Sequence, residues 1–208
     1  DSKYLPANAR IPVVLTIHDL NFLREKMPAS IQRRFRRLQM KVNRASAIIT
    51  GSQFAANEIR KYLDVHGKTI SVIPHGVCLH SPQSTGERPA FLPSGRFLFS
   101  IGDITPKKNV HTLVELARRL PEYQMVIAGK NSNDYAAEIL RMVDQAGLGD
   151  RVRLPGMVSD LERSWLYRHC DAFLFPSISE GFGLPLIEAM SCGRPVFSSS
   201  STSLPEVG

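Results

Sequence analysis

Short apolar runs alternate along the chain with segments whose apolar positions recur at helical spacing. Residues 11–17 are apolar and β-branched and predict a buried strand. A helix is predicted over about 29–45, with Ile31, Phe35, Leu38, Val42 and Ala45 on one face. Short strands at 47–50 and 69–73 flank a helix at 53–63 that Gly51-Ser52 opens. The same alternation resumes at residue 96. Strands are predicted at 96–101, 124–128, 151–154, 172–175 and 196–198. The helices between them run from about Asn109, read as an N-cap, to Leu120; from Asp134 to Ala146; and from a cap at Ser159 or Asp160 to His169. A last helix opens at Pro185, where a missing N–H is no loss. Strand–helix alternation of this kind implies parallel sheets covered by helices.

Between the two sets the character changes. Residues 78–95 carry Pro82, Pro89 and Pro93 among Ser and Gly, the composition of a linker. The expected organisation is one Rossmann-like unit over 1–80, a linker at 81–94 and a second Rossmann-like unit over 95–208, both incomplete. The chain starts at Asp1 without methionine and stops at Gly208, so it is expected to be a fragment of a longer enzyme.

Composition adds two constraints. With 43% hydrophobic residues the chain has material for real cores. The net charge of +7 is uneven: residues 1–80 hold 13 Lys and Arg against 5 Asp and Glu, while the remainder holds 13 against 14. The excess sits largely on the helix at 29–45, through Arg33, Arg34, Arg36, Arg37, Lys41 and Arg44. Two readings of that helix stay open: a solvated face, or a surface for an anionic membrane or lipid-linked acceptor. Nucleic acid is disfavoured, because few aromatics are interleaved and no recognition motif is present. No apolar run is long enough to span a bilayer. Cys78, Cys170 and Cys192 have no metal spacing; Cys170 and Cys192 are expected to be buried free thiols of a cytoplasmic protein.

Candidate chemistry collects after the strands. In an open parallel sheet those loops share the carboxyl edge, where ligands bind. Here they are His18-Asp19, Gly51-Ser52, His75-Gly76, Gly102 to Lys108, Gly129-Lys130, Gly156 to Asp160 and Ser177 to Gly183. The richest is Pro176-Ser-Ile-Ser-Glu180-Gly-Phe-Gly-Leu-Pro-Leu-Ile-Glu188. Its glycines and helix start offer N–H donors for phosphate. Glu180 and Glu188, with seven residues between them, offer acceptors for sugar hydroxyls. Lys107 and Lys108, placed just before a helix, can meet a pyrophosphate.

Glu180 to Glu188 resembles the paired-glutamate motif of retaining glycosyltransferases of family 4, which have the two-domain GT-B fold. Gly102-Asp-Ile-Thr-Pro-Lys-Lys108-Asn is similar to the segment of that family whose lysine contacts the donor diphosphate, and Lys108 stands at the lysine position. Asp103 stands where the family usually has a second diphosphate-contacting arginine. That departure shifts the local charge by about two units, so either Lys107 or Lys130 substitutes, or donor binding is weaker or organised differently.

The resemblance implies roles for particular residues. Glu188 would hold the ribose hydroxyls and Glu180 the hydroxyls of the donor sugar. Gly181, Phe182, Gly183 and Leu184 would supply backbone to the distal phosphate and sugar. Gly156-Met157-Val158 would lie against the base, and Ser177 would be the strand-end serine of the same site. Thr16-Ile-His18-Asp19 resembles the family's His-Asp segment, which makes His18 a contact of the transferred sugar or a support for the leaving phosphate. His75 replaces the family's asparagine in Pro74-His-Gly-Val77 and is given no role.

The implied reaction transfers a hexose from a UDP- or GDP-linked sugar to a glycan or lipid-linked acceptor. Configuration is retained and no metal is required, and bacterial surface-polysaccharide synthesis is the implied setting. The location would be cytoplasmic, with the basic helix as a peripheral contact for anionic membrane. Two alternatives stand beside it: a nucleotide-sugar binding fragment without activity, and another GT-B enzyme such as a nucleotide-sugar epimerase.

Overall fold

The computed structural model describes residues 11–24, 28–77, 87–92 and 94–208, and these form two α/β units. The described residues up to Gly76 and, by their contacts, 180–182 make up the first; the described residues from Val77 to Ser179 and 183–208 make up the second. Cys78 and most of the expected linker lie outside the described residues.

The first unit has a parallel sheet in the order β1 (Val14–Thr16), β2 (Ala47–Thr50), β3 (Ile70–Val72), with α1 (Ala29–Arg44) and α2 (Gln53–Tyr62) as connections. Ser52 caps α2 by accepting from the Ala55 amide. Its core gathers Leu15, Ile17, Val42, Ile48 and Ile59, with Ile31, Phe35 and Leu38 packed alongside. The predicted stripe of α1 is therefore the face that packs. The strand predicted over 11–17 is shorter, and it is buried on one face only. Leu15 and Ile17 point into the core, while Val14 and Thr16 are exposed. An unbroken apolar run reads as buried on both faces, but period-two geometry sends alternate residues opposite ways. The strand expected at 69–73 is likewise confined to β3.

The second unit has five parallel strands in the order β6 (Val152–Gly156), β5 (Gln124–Ala128), β4 (Phe97–Ile101), β7 (Ala172–Phe175), β8 (Val196–Ser198). Alternate residues divide cleanly between its faces. Leu98, Met125, Ile127, Ala172 and Leu174 pack with α3 (His111–Arg119) and α4 (Asp134–Gln145). Phe97, Phe99, Val126, Phe173 and Phe175 pack with α5 (Asp160–His169), α6 (Leu184–Ser191) and α7 (Leu204–Val207). This is a doubly wound sheet, as the alternation predicts.

Two local expectations change. Asn109 is not a side-chain cap. Pro106–Lys108 forms a 3-10 turn that ends with Asn109 in the left-handed region, at φ 56°, which asparagine tolerates better than most residues. Its carbonyl accepts from the Thr112 hydroxyl at 2.7 Å instead. The strand expected at 151–154 runs on to Gly156. At α5, Ser159 is the cap, and a full capping box with Glu162 closes it.

Candidate functional site

The strand order places a switch point in the second unit. From β4 the chain winds outward through β5 to β6, then returns to β7 on the other side of β4. The loops after β4 and β7 leave in opposite directions there, and the crevice between them is where open α/β sheets bind ligands. Both loops are those singled out in the sequence. Gly102 to Lys108 follows β4, and Pro176 to Gly183 follows β7.

Backbone hydrogen bonds knit this edge together. The Ile178 amide donates to the Lys107 carbonyl at 2.9 Å, tying one switch-point loop to the other. The Ile104 amide donates to the Lys130 carbonyl at 2.9 Å, and the Gly129 amide to the Gly156 carbonyl at 2.8 Å. Asn133 caps α4 through the Ala136 amide and also donates from Nδ2 to the Ile104 carbonyl at 2.8 Å. Loops from four strands thus form one floor. Each of these bonds pairs a backbone group that the margin of a core would otherwise leave unsatisfied.

The predicted side chains fall into distinct settings on that floor. Lys108 is half-buried. Its ammonium lies 4.7 Å from the centre of the Phe175 ring, and its side chain passes so close to Gly102 that a Cβ there would sit 3.0 Å from Lys108 Cε. Lys107 and Lys130 are exposed. The Asp103 carboxylate is exposed and makes no ion pair among the described residues. Ser177 is 1% exposed, and its hydroxyl has no partner among the described residues. It faces a small void that Lys108 also lines. The Ser177 carbonyl accepts from the Ser199 hydroxyl. Met157 reaches outward, at 80% exposure, whereas Val158 packs on the core. Leu184 is exposed at the start of α6, and Gly183 precedes it at φ 106°.

Glu188 lies on the second turn of α6 and is half-buried. Its Oε2 accepts from the Tyr167 hydroxyl at 2.7 Å. Tyr167 comes from α5 and escaped the sequence reading. Burial, and then the Glu188 carboxylate beside it, hold its phenol well above the ordinary tyrosine range, so it stays a donor. The signal was present: a tyrosine inside an apolar helix face must find an acceptor for its hydroxyl.

In the first unit His18 is exposed past the end of β1, and its ring centre is 5.5 Å from that of His75. The His75 ring meets Phe182 edge-on at 5.0 Å, and Ser52 donates to the Gly181 carbonyl at 2.8 Å. Glu180 is half-buried. His75, left without a role in the sequence reading, thus joins His18 to Phe182. An open cavity of about 1020 Å³ lies beside β1, lined by His18, Asp19, Arg33, Arg34, Arg37 and Lys41 among others. The Arg34 guanidinium stacks over Phe22 at 4.3 Å.

The sequence model described as "Glycosyl transferases group 1" matches residues 87–207, more than half of the chain and all of the switch-point edge. The chain belongs to that family. Residues 3–81 match a second model, "Glycosyltransferase Family 4".

Among curated relatives, the serotype-specific mannosyltransferase WbdA of Escherichia coli is 34% identical over 98% of this chain and 27% of its own length. The O-antigen chain mannosyltransferase B of Escherichia coli is 30% identical over 98% of this chain and 57% of its own length. The chain therefore spans from about a quarter to somewhat over half of these relatives. Among solved structures, Anabaena HepE in complex with UDP and glucose superposes with a TM-score of 0.78 at 23% identity, over 95% of this chain and 55% of that one. Sucrose-phosphate synthase from Thermosynechococcus elongatus gives 0.76 at 23%, over 92% and 51%. At these identities the likeness speaks for the fold, and the fold is GT-B.

Proposed function

We propose that this family member carries the donor site of a retaining glycosyltransferase. It moves a hexose from a nucleoside-diphosphate sugar to a hydroxyl of a glycan or lipid-linked acceptor during surface-polysaccharide synthesis. The observation that carries the reading is the switch-point crevice of the second unit, where the Lys108 loop and the Glu188 helix flank one floor. The relatives named as mannosyltransferases favour mannose as the sugar. HepE, solved with UDP and glucose, supports a nucleoside diphosphate as the carrier.

In this reading Lys108 neutralises the diphosphate, and the backbone of Gly181, Phe182, Gly183 and Leu184 donates to the distal phosphate and the sugar. Glu188 accepts from the ribose hydroxyls. Met157 and Val158 present backbone to the base, and Ser177 closes the strand end behind the phosphates. Glu180 and His18 serve the transferred sugar. The leaving phosphate takes the proton of the attacking acceptor hydroxyl on the same face, so configuration is retained and no resident metal is needed. Lys107 and Lys130, both exposed, supply the positive charge that Asp103 withholds.

The protein works in the cytoplasm. The basic α1 serves as a peripheral contact for anionic membrane; no helix among the described residues is long and apolar enough to cross one. Reversing Arg33, Arg34, Arg36 and Arg37 should abolish binding to anionic vesicles, and unchanged binding would dismiss that contact.

Calorimetric titration with UDP, GDP, ADP and their sugar conjugates tests the donor site. Saturable binding of one nucleotide, weakened by Lys108→Ala and Glu188→Ala, is expected. No binding of any up to millimolar would overturn the reading. A second reading, binding without transfer, is favoured by the exposed Asp103 carboxylate. Turnover of a bound sugar nucleotide that Glu180→Ala abolishes would exclude it.

A further inference from the structure

We infer that Tyr167 is a positioning residue for the nucleotide's ribose, acting through Glu188. This rests on the reading of Glu188 as the ribose contact. A carboxylate that must receive two neighbouring hydroxyls has to present both oxygens in one fixed plane, and a glutamate on a helix can rotate about three bonds. Tyr167 removes that freedom. Its hydroxyl meets Glu188 Oε2 at 2.7 Å, and no other side chain among the described residues bonds that carboxylate.

The post itself cannot move. The Tyr167 ring is 1% exposed and is gripped by Phe99 at 5.1 Å and Phe173 at 5.3 Å between ring centres. One phenol proton occupies one of about four acceptor positions on the carboxylate. Three remain for the two ribose hydroxyls. The arrangement is a rigid aromatic core group reaching out to orient a ligand-binding carboxylate. Supporting groups of this kind are what hold a site to within a fraction of an ångström.

A buried tyrosine that simply satisfies its hydroxyl would show the same distance, so the test must read the ribose itself. Dissociation constants of UDP and GDP, and of their 2′,3′-dideoxy counterparts, are measured by calorimetry. The proteins are the 208-residue chain and its Tyr167→Phe, Glu188→Ala and doubly substituted variants. The unsubstituted chain should prefer the ribonucleotide. Tyr167→Phe should weaken ribonucleotide binding about tenfold and leave the dideoxy nucleotide unaffected, so the preference shrinks. The double variant should bind no worse than Glu188→Ala alone.

If Glu188→Ala abolishes the preference but Tyr167→Phe leaves it intact, or weakens both nucleotides equally, Tyr167 is only a core residue. The inference is then overturned while the ribose reading stands. If the unsubstituted chain shows no preference, or if the preference survives Glu188→Ala, the ribose reading fails and this inference falls with it. Should Tyr167→Phe not fold, 3-fluorotyrosine placed at position 167 alone keeps ring and hydroxyl and makes a stronger donor. A raised preference is then expected, and an unchanged one overturns the inference.

Discussion

The two α/β units use the same alternation and finish it differently. In the second, β7 is buried along its whole length, and helices pack on both faces of its sheet. In the first, the core that the described residues form lies on one face, and Val14 of β1 is 57% exposed. The loops differ in the same sense. Those of the second unit bond to one another across four strand ends, so that floor is braced by the sheet beneath it. His18 of the first unit stands exposed past its strand. The difference teaches where each kind of chemistry can sit. Groups that must be held to a fixed geometry need a two-sided core under them. A basic surface such as that of α1 needs only a helix with one apolar stripe.

Core substitutions give the widest contrast. Phe173→Ala, at a fully buried position in β7, should cost about 3–5 kcal/mol, whereas Val14→Ala in β1 should cost under about 0.5 kcal/mol. Denaturant melts of the two variants measure this. Equal losses would mean that β1 is as deeply packed as β7, and the contrast would be broken. Glycine substitutions come next. A Cβ on Gly129 would sit 2.1 Å from the Gly102 carbonyl oxygen, at φ 137°, so Gly129→Ala forces backbone apart at the centre of the floor. We expect about 3 kcal/mol or more lost, and with it the nucleotide binding proposed above. Gly67→Ala, at φ 71° in the first unit, meets nothing within 4 Å and should cost only about 1 kcal/mol of backbone strain.

The sequence makes the second unit more legible than the first, and the reason is burial. Runs such as Ala172 to Phe175 are buried on both faces, so apolar content alone predicts them. The run at 11–17 is also largely apolar, but its exposed positions hold Val14 and Thr16, and hydrophobicity alone cannot assign a face. The cap of α5 could be narrowed to Ser159 or Asp160, and Glu162, three residues after Ser159, is the signal that decides for Ser159. Asn109 could not, since the same residue type serves both as a cap and as a left-handed turn residue. Its choice depends on the turn that Pro106 starts. Of the candidate site, the glutamate pair and Lys108 could be picked out because their spacing is local. The Tyr167 contact to Glu188 spans 21 positions and two helices, so only packing reveals it.

The cysteines sharpen the comparison from the core outward. Cys170 is fully buried, but Cys192 is only half-buried, short of the burial expected for both. Burial pushes the Cys170 thiol up to about 12 from its ordinary value of 9.0. The folded chain therefore keeps a proton there that the unfolded chain loses. The contribution is whole below pH 9 and declines as pH rises from 9 to about 12, by about 1.4 kcal/mol per pH unit. Cys170→Ala should flatten the alkaline decline in stability by one proton's worth. Urea melts at a series of pH values between 9 and 11 measure that slope, and an unchanged slope would mean the thiol is solvated.

The smallest contrast lies in how the helices start. In α5, Ser159 accepts from the Glu162 amide, and Glu162 reaches back to the Ser159 amide. The N-cap of α1 is Pro28, with no side-chain bond and no acidic residue in the first turn. The orphan amides of α1, together with Arg33 and Arg34 soon after, leave its start electropositive. Ser159→Ala should therefore destabilise the chain by about 1 kcal/mol. Pro28→Asp should stabilise it by about 0.5–1 kcal/mol, because the new carboxylate caps an amide and faces the positive end of the dipole. Chemical denaturation of both variants at low ionic strength gives the two signs. A gain at Pro28 that vanishes in high salt would assign it to the dipole and the arginines. A gain that persists would assign it to the cap hydrogen bond, which salt does not screen.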